Sequence, residues 1–120
     1  MAAKLTEIVI DCAEPRRVAE FWMATLDYQV LDTGADGEVE IGPRGGRGPT
    51  LVFVPVPERK SLKNRIHLDV NPSGQDQAAE LERLLSLGAR QVDVGQGDVT
   101  WVVLADPEGN EFCLLRRQVD

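Results

Sequence analysis

The chain repeats its own periodicity once, and that duplication constrains the fold more than any other feature. From Leu5 to Val56 the pattern runs strand, helix, then three short strands, and from Arg65 to Arg116 the same order returns. Two βαβββ repeats, at about 5–56 and 65–116, therefore account for nearly all of the 120 residues. One such unit buries one sheet face under its helix and leaves the other bare, so it is too small to be stable alone. Turning the bare faces toward each other yields one α+β domain over 1–120, with curled mixed sheets around a cleft. Function is expected where side chains face that cleft, and strand parity says which they are.

The local signals are consistent with this reading. Leu5, Glu7, Val9 and Asp11 alternate with Thr6, Ile8, Ile10 and Cys12, a period of two that predicts a strand. Pro15 suits a first helical position, and Val18, Phe21, Trp22 and Leu26 form an apolar stripe, predicting a helix over 15–26. Strands are predicted at 28–33, 38–41 and 50–56. Between the last two lies a Gly- and Pro-rich loop, 42–49, carrying Arg44 and Arg47. These arginines are either a lid for an anionic ligand or solvated charges. In the second repeat, strands are predicted at 65–70, 89–94, 99–104 and 112–115. Ser73, with Asp76 three positions on, suggests a capping-box-like helix start, and Gly88 a left-handed helix end. Asp106-Pro107-Glu108-Gly109-Asn110 is a strong turn.

Charge and cysteine content narrow the function classes. A formal charge of −7 disfavours nucleic acid and anionic membrane as partners. No apolar run reaches the ~18 residues of a membrane-spanning helix. The opening MAAKLTEIVID carries no signal-peptide pattern. Two cysteines, Cys12 and Cys113, make no disulfide framework, and the expectation is a reduced, cytoplasmic protein.

Parity picks out candidate site residues. Lys63, Arg65, His67 and Asp69 share one face of a predicted strand, opposite Ile66, Leu68 and Val70. The apolar set should pack under the second helix, leaving the ionisable set to pair internally, to line a dimer seam or to meet a ligand. His67 is the only histidine, suited to metal ligation or acid–base work, or else a structural residue. Trp101 is either an aromatic wall for a planar ligand or core. Cys113 is either a nucleophile needing a base beside it or a small apolar filler. Cys12, of opposite parity, should pack under a helix, and Trp22 should be core.

The segments LADPEGNEFCLL and IVIDCAEPRRVAEFWMATLDYQV resemble the vicinal oxygen chelate superfamily, which groups glyoxalase I, bleomycin-resistance proteins, fosfomycin-resistance enzymes and extradiol dioxygenases. LVFVPVPERKSLKNRIHLDV is similar to its glyoxalase-like domain branch. The resemblance implies paired βαβββ modules and a divalent metal (zinc, nickel, manganese or iron) held by the first and last strands of each module. The matching positions here are Glu7, Val54, His67 and Cys113. Val54 cannot coordinate, so the implied metal site is eroded, with Glu7 and His67 the remaining conventional ligands. Without a metal, Glu7 is a partner or base for His67, or a solvated strand-end carboxylate. Three functions follow. The preferred one is a small-molecule-binding protein of the bleomycin-resistance type, with Arg65, Asp69, Trp101 and Cys113 as ligand-binding residues. The alternative is a metal-dependent lyase or isomerase (a dioxygenase in the wider superfamily) with Glu7 and His67 catalytic. The third is a structural or regulatory protein with a vestigial cleft. A homodimer is expected in each case.

Overall fold

The computed structural model describes residues 1–120 and divides into two compact units, Met1–Arg59 and Lys60–Asp120. The first contains β1 (Glu7–Cys12), α1 (Pro15–Leu26), β2 (Tyr28–Thr33), β3 (Val39–Pro43) and β4 (Thr50–Pro55). The second contains β5 (Leu68–Val70), α2 (Gln77–Ser86), β6 (Arg90–Gln91), β7 (Val102–Ala105) and β8 (Glu111–Leu114). The strand orders are β1-β4-β3-β2 and β5-β8-β7-β6, the same topology twice. In each unit the first strand runs parallel to the last and the remaining pairs are antiparallel. The architecture is α+β, two βαβββ modules with one four-stranded mixed sheet each.

In the first unit α1 starts at Pro15, and its stripe buries Val18, Ala19, Phe21 and Trp22. This face packs on β3 and β4, whose Ile41, Leu51 and Phe53 are also buried. The rings of Phe21 and Trp22 meet edge to face, 5.3 Å apart, the geometry their quadrupoles favour. Asp27 ends the helix in the left-handed region (φ 56°). Its carboxylate pairs with Arg44 at 3.1 Å, so one arginine of the Gly-rich loop is held at the helix end. Cys12 is buried as its parity implies.

In the second unit several boundaries differ from the sequence expectation. Asp76, and not Ser73, caps α2, its carboxylate accepting from the Ala79 N–H at 2.9 Å. Ser73 instead bridges to Val119, because Gly74 (φ +79°) turns the chain before the helix begins. At the other end Gly88 (φ +115°) donates to Leu85 O and Ala89 donates to Leu84 O. That pair of bonds is a Schellman motif, and it needs the left-handed conformation glycine tolerates. β5 begins at Leu68, so Arg65 and Ile66 lie in a bend before it. Ile66 is 82 % exposed and does not pack under α2. The predicted strand 89–94 shrinks to Arg90–Gln91, and β7 starts one residue after Trp101. The intervening segment is a loop turned by Gly95 (φ +85°) and Gly97 (φ +68°).

The Asp106–Asn110 turn forms as expected. Asp106, 2 % exposed, accepts from the N–H groups of Glu108 and Asn110, both at 2.9 Å, and from Asn110 Nδ2 at 3.2 Å. This buried carboxylate fixes the register in which Leu104 faces Phe112 and Val103 faces Cys113.

Candidate functional site

Register divides the second sheet into two faces. Leu68, Phe112 and Leu104 form one cross-strand row, and Val70, Leu114 and Val102 another. Phe112, Leu114 and Leu104 are fully buried, as is Leu84 of α2. The opposite face carries the row Asp69–Cys113–Val103 from β5, β8 and β7. His67 lies just before β5, with Nε2 3.5 Å from Asp69 Oδ1. The ligand atoms of His67, Asp69 and Cys113 all lie within 4.8 Å of one another.

This cluster forms part of the wall of an open hollow of about 370 Å³ on the same face, a volume in the range of small-ligand sites. Val94, Val103, Leu115 and Trp101 supply its apolar surface, and Lys63, Gln96 and Glu111 its polar edge. Trp101 is 40 % exposed, a large aromatic left partly open beside polar groups.

Two devices hold the rim in place. Glu111 accepts from Lys60 Nζ at 2.8 Å and from the Asn64 N–H at 2.7 Å. These bonds tie the Lys60–Asn64 segment, which bears Lys63, onto β8. Burial acts to raise the Glu111 carboxyl, but the Lys60 ammonium and the backbone donors outweigh it and hold the group below the ordinary carboxylate range. On the other side the Gln96 side chain accepts from the Val94 N–H at 2.9 Å, closing the glycine-flanked loop on itself.

Burial pushes the Cys113 thiol up, and the Asp69 carboxylate, acting as a charge and as a hydrogen-bond acceptor, pushes the same way against a smaller opposing effect of Lys63. The group is therefore a protonated thiol at neutral pH, and a thiol is a poor nucleophile. Neither Cys12 nor Cys113 is part of a disulfide, and both are buried.

The second unit thus brings together His67, Asp69, Trp101 and Cys113. Arg65 sits in the bend before β5, outside the lining of the hollow. Glu7 is exposed at the start of β1 in the first unit, where it faces Thr50; two and four residues on, the same register pairs Val9 with Val52 and Asp11 with Val54. Of the four positions the resemblance implies as metal ligands, Val54 presents only an isopropyl group. Glu7, Val54, His67 and Cys113 therefore do not fit the implied metal set. Val94 and Gln96 escaped the sequence reading because they belong to a loop that strand parity does not govern. The Gly-Gln-Gly triplet at 95–97 is the signal that marks it.

A family model described as glyoxalase-like domain matches residues 7–115. A search of curated proteins finds no match. Among solved structures, a mutant of the fosfomycin resistance protein FosX from Listeria monocytogenes, complexed with Mn(II) and 1S,2S-dihydroxypropylphosphonic acid, aligns with TM-score 0.72 and 14 % identity, covering 96 % of this chain and 90 % of that one. FosX from Mesorhizobium loti aligns with TM-score 0.71 and 13 % identity, covering 96 % and 92 %. A glyoxalase/bleomycin resistance protein/dioxygenase family enzyme from Burkholderia phytofirmans aligns with TM-score 0.66 and 15 % identity, covering 93 % and 97 %. At these identities the likeness concerns the fold.

Proposed function

The chain belongs to the glyoxalase-like domain family, and from that premise we propose that it binds a small organic molecule in the hollow of its second sheet. The observation that carries this reading is the half-open Trp101 ring beside the His67–Asp69 pair. A planar or apolar ligand body stacks on the indole and packs against Val103 and Leu115. Its polar end meets His67, Asp69 and Lys63. An aromatic wall with a few convergent polar groups is the usual chemistry of such sites. The neighbouring FosX structure, which holds a small phosphonic acid, supports a small-molecule role by analogy.

Thermal-shift screening of the untagged protein against small aromatic and carboxylate-bearing compounds tests the reading. A true ligand at about 100 times its Kd adds about 2.7 kcal/mol of stability. Trp101→Ala and His67→Ala should each abolish the shift while leaving the unliganded midpoint nearly unchanged. Hits that stabilise both variants as well as the parent would refute it.

A second reading, a divalent-metal-dependent lyase or isomerase using Glu7 and His67, is favoured by the His67–Asp69–Cys113 cluster and opposed by Val54. Turnover that survives Glu7→Gln would remove it. We also take the protein to be a cytoplasmic homodimer. The two cysteines outside any disulfide support a reducing compartment, and no helix is long and apolar enough to cross a membrane. The edge strands β1 and β2 expose Val9 (55 %), Val30 (49 %) and Leu31 (47 %), apolar surface that a second copy would cover. Sedimentation at a monomer mass would refute the dimer.

A further inference from the structure

We propose that Gln77, the first residue of α2, is the positioning residue for Trp101: its side-chain amide clamps the backbone that carries the indole and so sets the aromatic wall of the hollow. This rests on the reading of Trp101 as a ligand surface, but the placement of the indole is measured without any ligand.

The need for a clamp comes from the sheet. The β7–β8 ladder ends at the pair Val102–Leu114, so Thr100 and Trp101 lie beyond it. They close the loop that leaves β6, and Gly95 and Gly97, both left-handed, give that loop backbone freedom. Its bonds from the Val94 N–H to Gln96 Oε1 and from the Gly95 N–H to Asp93 Oδ1 hold it to itself and not to the sheet. The indole is part-exposed, so packing fixes only one side of the ring.

Gln77 supplies the missing tie. Its Nε2 donates to Thr100 O at 2.9 Å and to Leu114 O at 3.2 Å. One carbonyl lies just ahead of β7 and the other on the last residue of β8, so a single NH2 group joins the two strands where their ladder stops. An amide meets two carbonyls with its nitrogen end, which carries two N–H donors. Asp76 caps α2 through the Ala79 N–H, which fixes the helix start and leaves the Gln77 side chain for this task. Gln77 is not part of the lining of the hollow, so it acts on a ligand through Trp101 and not by contact. Losing both bonds lowers the population of the pinned indole, and apparent affinity falls with the population that is competent to bind.

The test compares full-length Gln77→Glu and Gln77→Met with the parent. Both remove the donors at nearly constant side-chain length. A carboxylate is favourable at a helix start, so Gln77→Glu separates loss of the clamp from loss of the helix. In nitrogen-15 spectra of the unliganded protein the Trp101 indole peak should shift in both variants, and acrylamide quenching of its fluorescence should rise, while the Trp22 peak stays fixed. Gly88→Ala, which strains the far end of the same helix, should leave Trp101 unmoved. An aromatic carboxylate found to stabilise the parent should bind both Gln77 variants about tenfold more weakly. An indole peak unchanged in both variants overturns the proposal, as does equal movement of Trp101 in Gly88→Ala or of Trp22 in the Gln77 variants. If screening yields no ligand, the organic-ligand reading fails, and the indole shift alone decides the positioning role.

Discussion

Replacing Asp106 by Ala should be among the most damaging single changes outside the apolar core. The carboxylate is 2 % exposed and accepts three hydrogen bonds, two at 2.9 Å from the N–H groups of Glu108 and Asn110 and one at 3.2 Å from Asn110 Nδ2. A bond to a charged partner contributes about 1.5–3 kcal/mol, and a neutral one about 1 kcal/mol. Two good bonds and one long one give roughly 3–5 kcal/mol before relaxation. Glu108, Gly109 and Asn110 are only half-buried, so water regains part of the loss and the net cost is about 2–4 kcal/mol. Asp106→Asn keeps one oxygen for both N–H groups and loses the Asn110 side-chain bond, so it should cost about 1 kcal/mol. Urea unfolding reads both. With m near 1.5 kcal/mol/M, the Ala variant should lower the midpoint by roughly 1.3–2.7 M at unchanged m. A midpoint within about 0.3 M of the parent, or an Asn variant as damaged as Ala, would show that the turn does not depend on this carboxylate.

Two further outcomes follow from local chemistry. The Arg83 guanidinium, hydrogen-bonded to Glu80 at 2.8 and 2.9 Å, holds the buried Glu80 carboxyl below its ordinary value, with Gln75 assisting against desolvation. A carboxyl whose folded pKa is lowered contributes stability that is present above its unfolded value and lost as pH falls through the folded one. The parent should therefore lose stability below about pH 4.5, and Glu80→Gln should flatten that part of the pH–stability curve; an unchanged acid slope would contradict the pairing. Gly88→Ala, at φ +115°, should cost about 1 kcal/mol through left-handed backbone strain, read by the thermal midpoint.

Much of the fold was legible because duplication and period-two alternation are strong signals. Both helices and all eight strands occur in the expected order, with β5, β6 and β7 shorter than or shifted from their expected spans, and Cys12, Trp22 and the Asp106 turn behave as their types suggest. The misplaced boundaries share a cause. Parity places Arg65, Ile66 and Trp101 in strands, yet backbone pairing begins after them, and pairing depends on a partner strand that one segment's sequence does not reveal. Asp76 displaced Ser73 as helix cap because the chain must first turn at Gly74. For the site, parity correctly grouped His67 with Asp69 and Cys113 with Glu111. It could not show that Asp69 is the register partner of Cys113, since register is set between strands.

The claim that ligand enters the hollow of the second sheet has a direct readout in the two tryptophans, Trp101 at 40 % exposure and Trp22 at 1 %. Nitrogen-15 spectra of their indole N–H groups during titration with a thermal-shift hit should show Trp101 moving in a saturable way while Trp22 stays fixed. A saturating ligand that leaves the Trp101 indole unmoved would contradict the account.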